Sequence, residues 1–159
     1  MAGAAGLVSL LTRSSAAESG SAGSKLRLGL IGCGWYGLVD VDAAFKVGGV
    51  EVIAVCDADS QHLEEAAAKI EKKQGSRPKT FKHHRDLLAM PELQAVIIAS
   101  PPHWHALQFI DAVQRGVDVY CEKPLAYDVR EGQAMVAAAQ KSGRVVQVGT
   151  QRKSTPHLV

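Results

Sequence analysis

The strongest constraint in this 159-residue chain is six residues long: Gly32-Cys33-Gly34-Trp35-Tyr36-Gly37. It follows a short apolar run, Leu26 to Ile31, and opens a helix-length segment that ends near Val47. Glycines at the first, third and sixth places of a strand-to-helix turn each answer a separate steric demand. Gly32 permits the tight turn, Gly34 leaves the backbone bare so that a pyrophosphate can come close, and Gly37 lets the helix pack on its strand. The helix N-terminus then offers unpaired N–H groups and a partial positive charge to phosphate. Taken alone, the pattern also fits a glycine turn in another kind of α/β protein. The rest of the chain narrows the choice.

After residue 25, apolar runs alternate with helix-length segments. Strands are expected at 26–31, 50–56, 80–81, 95–99, 117–121 and 144–148. Helices are expected at 35–47, 61–73, 85–89, 104–115 and 129–141. The segment 61–73 carries Leu63, Ala66, Ala67 and Ile70 at helical spacing, with Glu and Lys opposite, and Ser60 reads as its N-cap. The central strands, such as Ala95-Val96-Ile97-Ile98-Ala99, are apolar throughout rather than alternating. Continuous apolar strands separated by helices indicate a parallel sheet covered on both faces. Right-handed crossovers then give a doubly wound α/β fold, most simply of strand order 3-2-1-4-5-6.

Composition removes several function classes. Apolar residues make up 47%, enough for a core, whereas a net charge of +2 and 5% aromatics argue against nucleic acid or an anionic membrane as partner. Cys33, Cys56 and Cys121 match no zinc spacing, and no metal site is expected. They read as small buried residues or free thiols, which favours a reducing, cytoplasmic setting. Residues 1–24 are a Gly-, Ala- and Ser-rich stretch read either as a flexible tail or as a remnant of a secretory signal. In the second case the apolar patch at 6–11 and Ser15-Ala16-Ala17 would precede a cleavage point, and the destination would be the periplasm. No segment approaches the ~20 apolar residues of a membrane span.

Three further features fall at expected strand ends. Asp57 ends the second strand, 20 residues past Gly37, where a carboxylate can accept hydrogen bonds from the adenosine ribose and repel a 2′-phosphate. NAD is therefore expected in preference to NADP. Ser100-Pro101-Pro102-His103-Trp104-His105 follows the fourth strand, and its prolines are expected to hold the chain out of helix until His103. Glu122-Lys123-Pro124 follows the fifth, placing a cation at the same edge, where a lysine can orient a hydroxyl or assist proton transfer. His83-His84 reads as a polar surface pair before a short helix, and Trp35 and Trp104, near helix starts, as residues that pack against the cofactor edge or neighbouring loops rather than catalyse.

Together the glycine turn, Val55-Cys56-Asp57, the loop from Ala99 to His105 and Glu122-Lys123-Pro124 resemble the N-terminal domain of the glucose–fructose oxidoreductase / inositol dehydrogenase / MocA family. The resemblance runs from about Lys25 to the C-terminus. It implies an NAD(P)-dependent oxidoreductase that transfers hydride between nicotinamide and a secondary alcohol of a sugar, cyclitol or similar polyol. It makes Lys123 the active-site lysine. Gly32, Gly34, Trp35, Tyr36, Gly37, Asp57, Ser100, Pro101, His103 and Glu122 are then candidates to contact the cofactor, with Glu122 and Pro124 shaping the lysine loop. Gln151 and Arg152 match a segment that passes the active site.

Two departures stand out. Ser100 occupies a place where many relatives carry Thr, which keeps the hydroxyl. Family members are also about twice this length, with a second α+β domain that supplies further catalytic groups, the substrate pocket and usually the oligomer interface. The expectation is a dinucleotide-binding domain at 25–150, with 151–159 as the start of a crossover to that second domain, which this sequence does not contain. Little activity is expected from these residues alone, and a homo-oligomer only at full length. His157 is assigned to the linker. The alternative is a non-catalytic nucleotide-binding sensor or scaffold module, to which Lys123 would be superfluous.

Overall fold

The computed structural model describes residues 24–154. Nearly all of the stretch read as a tail or signal, and His157, lie outside the described residues. Within them the elements run β1 (Leu26–Ile31), α1 (Trp35–Val47), β2 (Val50–Cys56), α2 (Ser60–Gln74), β3 (Lys79–Phe81) and α3 (His84–Leu88). There follow β4 (Ala95–Ile98), α4 (Pro102–Gln114), β5 (Asp118–Glu122), α5 (Val129–Ser142), β6 (Val146–Gly149) and a closing 3-10 turn, Gln151–Ser154. All strand pairs are parallel, in the order β3-β2-β1-β4-β5-β6. That is the doubly wound fold expected from the alternation.

The two faces of the sheet carry separate cores, because successive side chains on a strand point to opposite sides. On one face Leu30, Val52 and Ile97 pack under Val41 of α1 and Leu63 and Ile70 of α2. On the other, Val96, Ile98 and Val119 pack under Leu87 of α3, Phe109 of α4 and Met135 of α5. The second layer reaches across to β6. The first leaves much of β5 and β6 open, and a shallow apolar depression of about 440 Å³ remains there, lined among others by Leu26, Val47, Tyr120 and Val145.

Three local expectations are corrected. The N-cap of α2 is Asp59, not Ser60: its carboxylate accepts from the backbone N–H of Gln61 at 2.7 Å and of His62 at 3.2 Å. Asp57 Oδ1 accepts the Asp59 N–H at 2.9 Å, which sets the turn one residue earlier and leaves Ser60 as the first helical residue. Helix α4 begins at Pro102 with Pro101 as its cap, ahead of His103. A proline at the first helical position gives up an N–H that would have no intrahelical acceptor anyway. Of the His83-His84 pair only His83 is exposed: His84 is half-buried, with its ring Nε2 2.9 Å from Asp111 Oδ2 on α4. That oxygen also accepts from Arg85 Nε at 2.9 Å, and the two contacts tie α3 to α4.

Candidate functional site

Strand register brings the candidate residues to one edge. Ile31 lies opposite Cys56 on one side and Ile98 on the other, and Ile98 lies opposite Cys121. The segments that leave these strands, at Gly32, Asp57, Ser100 and Lys123, therefore share the carboxyl end of the sheet. An open cleft of about 1120 Å³ runs along part of it, bordered by Gly32, Asp57, Asp59, Lys82, Ser100 and Pro101.

The three glycines have three different surroundings. Gly32 has φ +93°, and a Cβ there would meet the backbone N of Ser100 at 2.5 Å, so this turn is pressed against the loop after β4. At Gly37 a Cβ would stand 2.1 Å from the carbonyl oxygen of Gly32. At Gly34 nothing lies within 4 Å. Gly34 also caps α1 without a side-chain hydrogen bond, and no acidic residue occupies the first turn. A space bare of atoms in front of a helix N-terminus that lacks its own carboxylate suits a phosphate group.

Asp57 holds this turn in place. Its Oδ2 accepts the Cys33 N–H at 2.7 Å while Oδ1 takes that of Asp59. Each carboxylate oxygen retains further acceptor capacity for a ribose hydroxyl. Behind the turn, burial raises the thiol of Cys33, and neighbouring Asp57 adds to the shift. Burial pushes those of Cys56 and Cys121 up to about 12, so all three are inert thiols at neutral pH.

Lys123 is exposed, and its Nζ sits 5.4 Å from the centre of the Tyr36 ring, a cation–π contact that joins the lysine loop to α1. Trp35, 77% exposed, meets Tyr36 edge-on at 5.2 Å. Glu122 is buried beneath the loop. Its Oε2 accepts the Lys123 N–H at 3.1 Å, and Oε1 accepts the Tyr120 hydroxyl at 3.2 Å and the side-chain amide of Gln151. The segment after β6 thus reaches the same loop. His103 lies exposed in the first turn of α4 beside Trp104, whereas Trp104, Ser100 and Pro101 border the cleft.

Sequence reasoning gave no role to three residues here, although His105 stood in the quoted loop motif. His105 is fully enclosed, and both its ring nitrogens lie within hydrogen-bonding distance of backbone carbonyls. Gln108 is buried and accepts the Ser100 hydroxyl at 2.6 Å. A polar pair three residues apart, interrupting the apolar stripe of α4, was the available signal. Asp40 has a buried Oδ2 with no hydrogen-bond partner, and burial together with nearby Glu122 raises its carboxyl to about 7. Among the described residues no cluster of three or more His, Cys, Asp or Glu is placed to hold a metal ion.

Comparison with known proteins matches residues 26–150 to a family described as "Oxidoreductase family, NAD-binding Rossmann fold". An inositol 2-dehydrogenase of Saccharopolyspora erythraea is 34% identical over 134 residues, covering 83% of this chain and 38% of the relative. A glycosyl hydrolase family 109 protein of a Shewanella strain is 32% identical over 121 residues, 74% of this chain and 26% of that protein. Among solved structures, the WlbA dehydrogenase of Chromobacterium violaceum, in complex with NADH and UDP-GlcNAcA, superimposes with a TM-score of 0.76 at 30% identity. It covers 86% of this chain and 38% of that one. The myo-inositol 2-dehydrogenase of Lactobacillus plantarum gives 0.73 at 28%, with 84% and 38% covered. The chain thus spans between about a quarter and two-fifths of the length of these proteins.

Proposed function

Since the chain belongs to the GFO/IDH/MocA family of oxidoreductases, we propose that its rim binds NAD and serves hydride transfer at a secondary alcohol of a sugar or cyclitol. The observation that carries this reading is the convergence of Gly34, Asp57 and Lys123 on one sheet edge. The bare backbone at Gly34 and the uncapped start of α1 would take the pyrophosphate. Asp57 would accept from the adenosine ribose and disfavour a 2′-phosphate. Ser100 and Pro101 would border the path toward the nicotinamide.

When bound, the dinucleotide supplies the hydride acceptor at its C4. Lys123 would donate a hydrogen bond to the substrate hydroxyl as an ammonium, or take that hydroxyl's proton as the neutral amine. Glu122 holds the lysine loop from below through the Lys123 N–H. The substrate pocket and any subunit interface would come from sequence beyond these residues, so turnover is assigned to a longer protein.

Titration with NADH and NADPH, followed by nicotinamide fluorescence, tests the cofactor assignment. NADH should bind more tightly than NADPH. Asp57→Ala should weaken NADH roughly tenfold, or ~1.4 kcal/mol, and shrink the preference. Tighter NADPH binding by the unmutated chain would overturn the choice of NAD. The match to glycosyl hydrolase family 109 proteins favours a second reading, in which the same domain serves a reaction whose net outcome is glycoside cleavage. A longer protein that releases a chromogenic aglycone without net NADH formation would establish that second reading.

A further inference from the structure

A polar side chain is buried at a cost unless its polar atoms find partners. Among the described residues, three polar or charged side chains are buried: His105, Gln108 and Glu122. Each bonds to one of the turns that follow β4 and β5. Gln108 holds the Ser100 side chain and Glu122 the Lys123 backbone, so each of these serves one turn. His105 alone reaches both: its Nε2 lies 2.7 Å from the carbonyl oxygen of Ser100, and its Nδ1 lies 2.9 Å from that of Pro124.

We propose that His105 is a positioning residue that couples the cofactor-facing turn at Ser100 to the turn that carries Lys123. The role assigned to those turns rests on the function proposed above. An imidazole is a rigid plane with nitrogens on two edges. Both carbonyl oxygens only accept, so the ring holds both when each nitrogen carries an N–H. A carbonyl that then moves must lose its contact or drag the ring and the second carbonyl with it. The ring has no room to swing into solvent, because α4 holds it at zero exposure. Both partners are backbone oxygens, so the coupling acts on the path of the turns whatever side chains they carry. Reactions that need reacting atoms within a fraction of an ångström reward such coupling, since a misplacement of about 1 Å can cost about a hundredfold in rate. His105 reaches backbone alone and acts through Lys123 and Ser100.

Amide hydrogen exchange of the 159-residue chain, with and without NADH, tests this. The forms compared are the unmutated chain, His105→Phe, which keeps a ring and loses both nitrogens, and His105→Gln, which keeps a single donor group. In the unmutated chain NADH should slow exchange at the Lys123 and Leu125 amides several-fold. In His105→Phe those amides should exchange at least tenfold faster without NADH, while amides of β2 stay within twofold. NADH should still slow the glycine turn of that variant but no longer the lysine loop. His105→Gln should fall between, and it carries the comparison if the Phe form does not fold. A lysine loop that exchanges in the variants as in the unmutated chain overturns the proposal. So does loosening shared by β2 and all of α4, which would make His105 an ordinary core residue. If NADH changes nothing in the unmutated chain, the cofactor reading fails, and the NADH-free comparison still decides the coupling.

Discussion

The turn after β1 and the turns after β4 and β5 occupy the same edge and are built by opposite means. The first works by leaving atoms out: Gly37 makes room for a carbonyl, Gly34 leaves open space, and the Asp57 carboxylate tethers the turn through the Cys33 N–H. The second pair works by putting polar atoms in, with His105, Gln108 and Glu122 buried under the loops they hold. A turn shaped by missing side chains tolerates little addition and needs few partners. A turn shaped by buried polar side chains depends on every hydrogen bond being made.

The glycine side of this contrast breaks most sharply at Gly37. Gly37→Ala forces a methyl group to 2.1 Å from the Gly32 carbonyl, a clash with backbone that no rotamer relieves. A loss of about 3 kcal/mol or more is expected, read as a fall in melting temperature of roughly 6–12 °C. Gly34→Ala should do the reverse. With open space around the new methyl, the melting temperature should move by no more than about 3 °C, while NADH affinity falls by about tenfold or more, ~1.4 kcal/mol. Equal effects of the two substitutions on stability would erase the distinction between packing and approach glycines.

Asp40 sharpens the other side by a smaller amount. Its folded carboxyl titrates at about 7, raised by burial and by Glu122, against about 3.9 in an unfolded chain. Between those values the folded state holds a proton that the unfolded state has released, so stability falls as pH rises from about 4 to 7 and then levels. Asp40→Asn removes this slope. The variant should therefore match the parent near pH 4 and gain on it by about 1 kcal/mol at pH 8, after allowance for solvent screening. Melting curves across that range check the sign, and a parent that gains on the variant with rising pH would contradict the assignment.

Much of this was open to reading from the chain itself. The order of the sheet followed from strand–helix alternation, because a right-handed crossover leaves few ways to wind parallel strands. The glycine turn was legible for a related reason, since a position that must lack a Cβ can be filled by one residue type. Less legible were choices between near neighbours. Asp59 and Ser60 both make good N-caps, and a hydrogen bond from Asp59 N–H to Asp57 decided between them. His103 and His105 differ by two positions on one helix, which turns one to solvent and the other into the core.

What the amino-acid order determined is thus the set of local rules: where strands and helices run, which turn must be bare, and which acid and lysine stand at strand ends. Tertiary structure alone decided that Asp40 would face Glu122, that Gln151 would reach back to Glu122, and that His105 would touch Ser100 and Pro124 at once. Apart from the one between His105 and Ser100, those contacts join segments far apart in the chain, and they exist because parallel strands in register deliver their carboxyl ends to a common edge. Hydrogen bonding is short-ranged, so its partners are settled only after the backbone has brought them within about 3 Å.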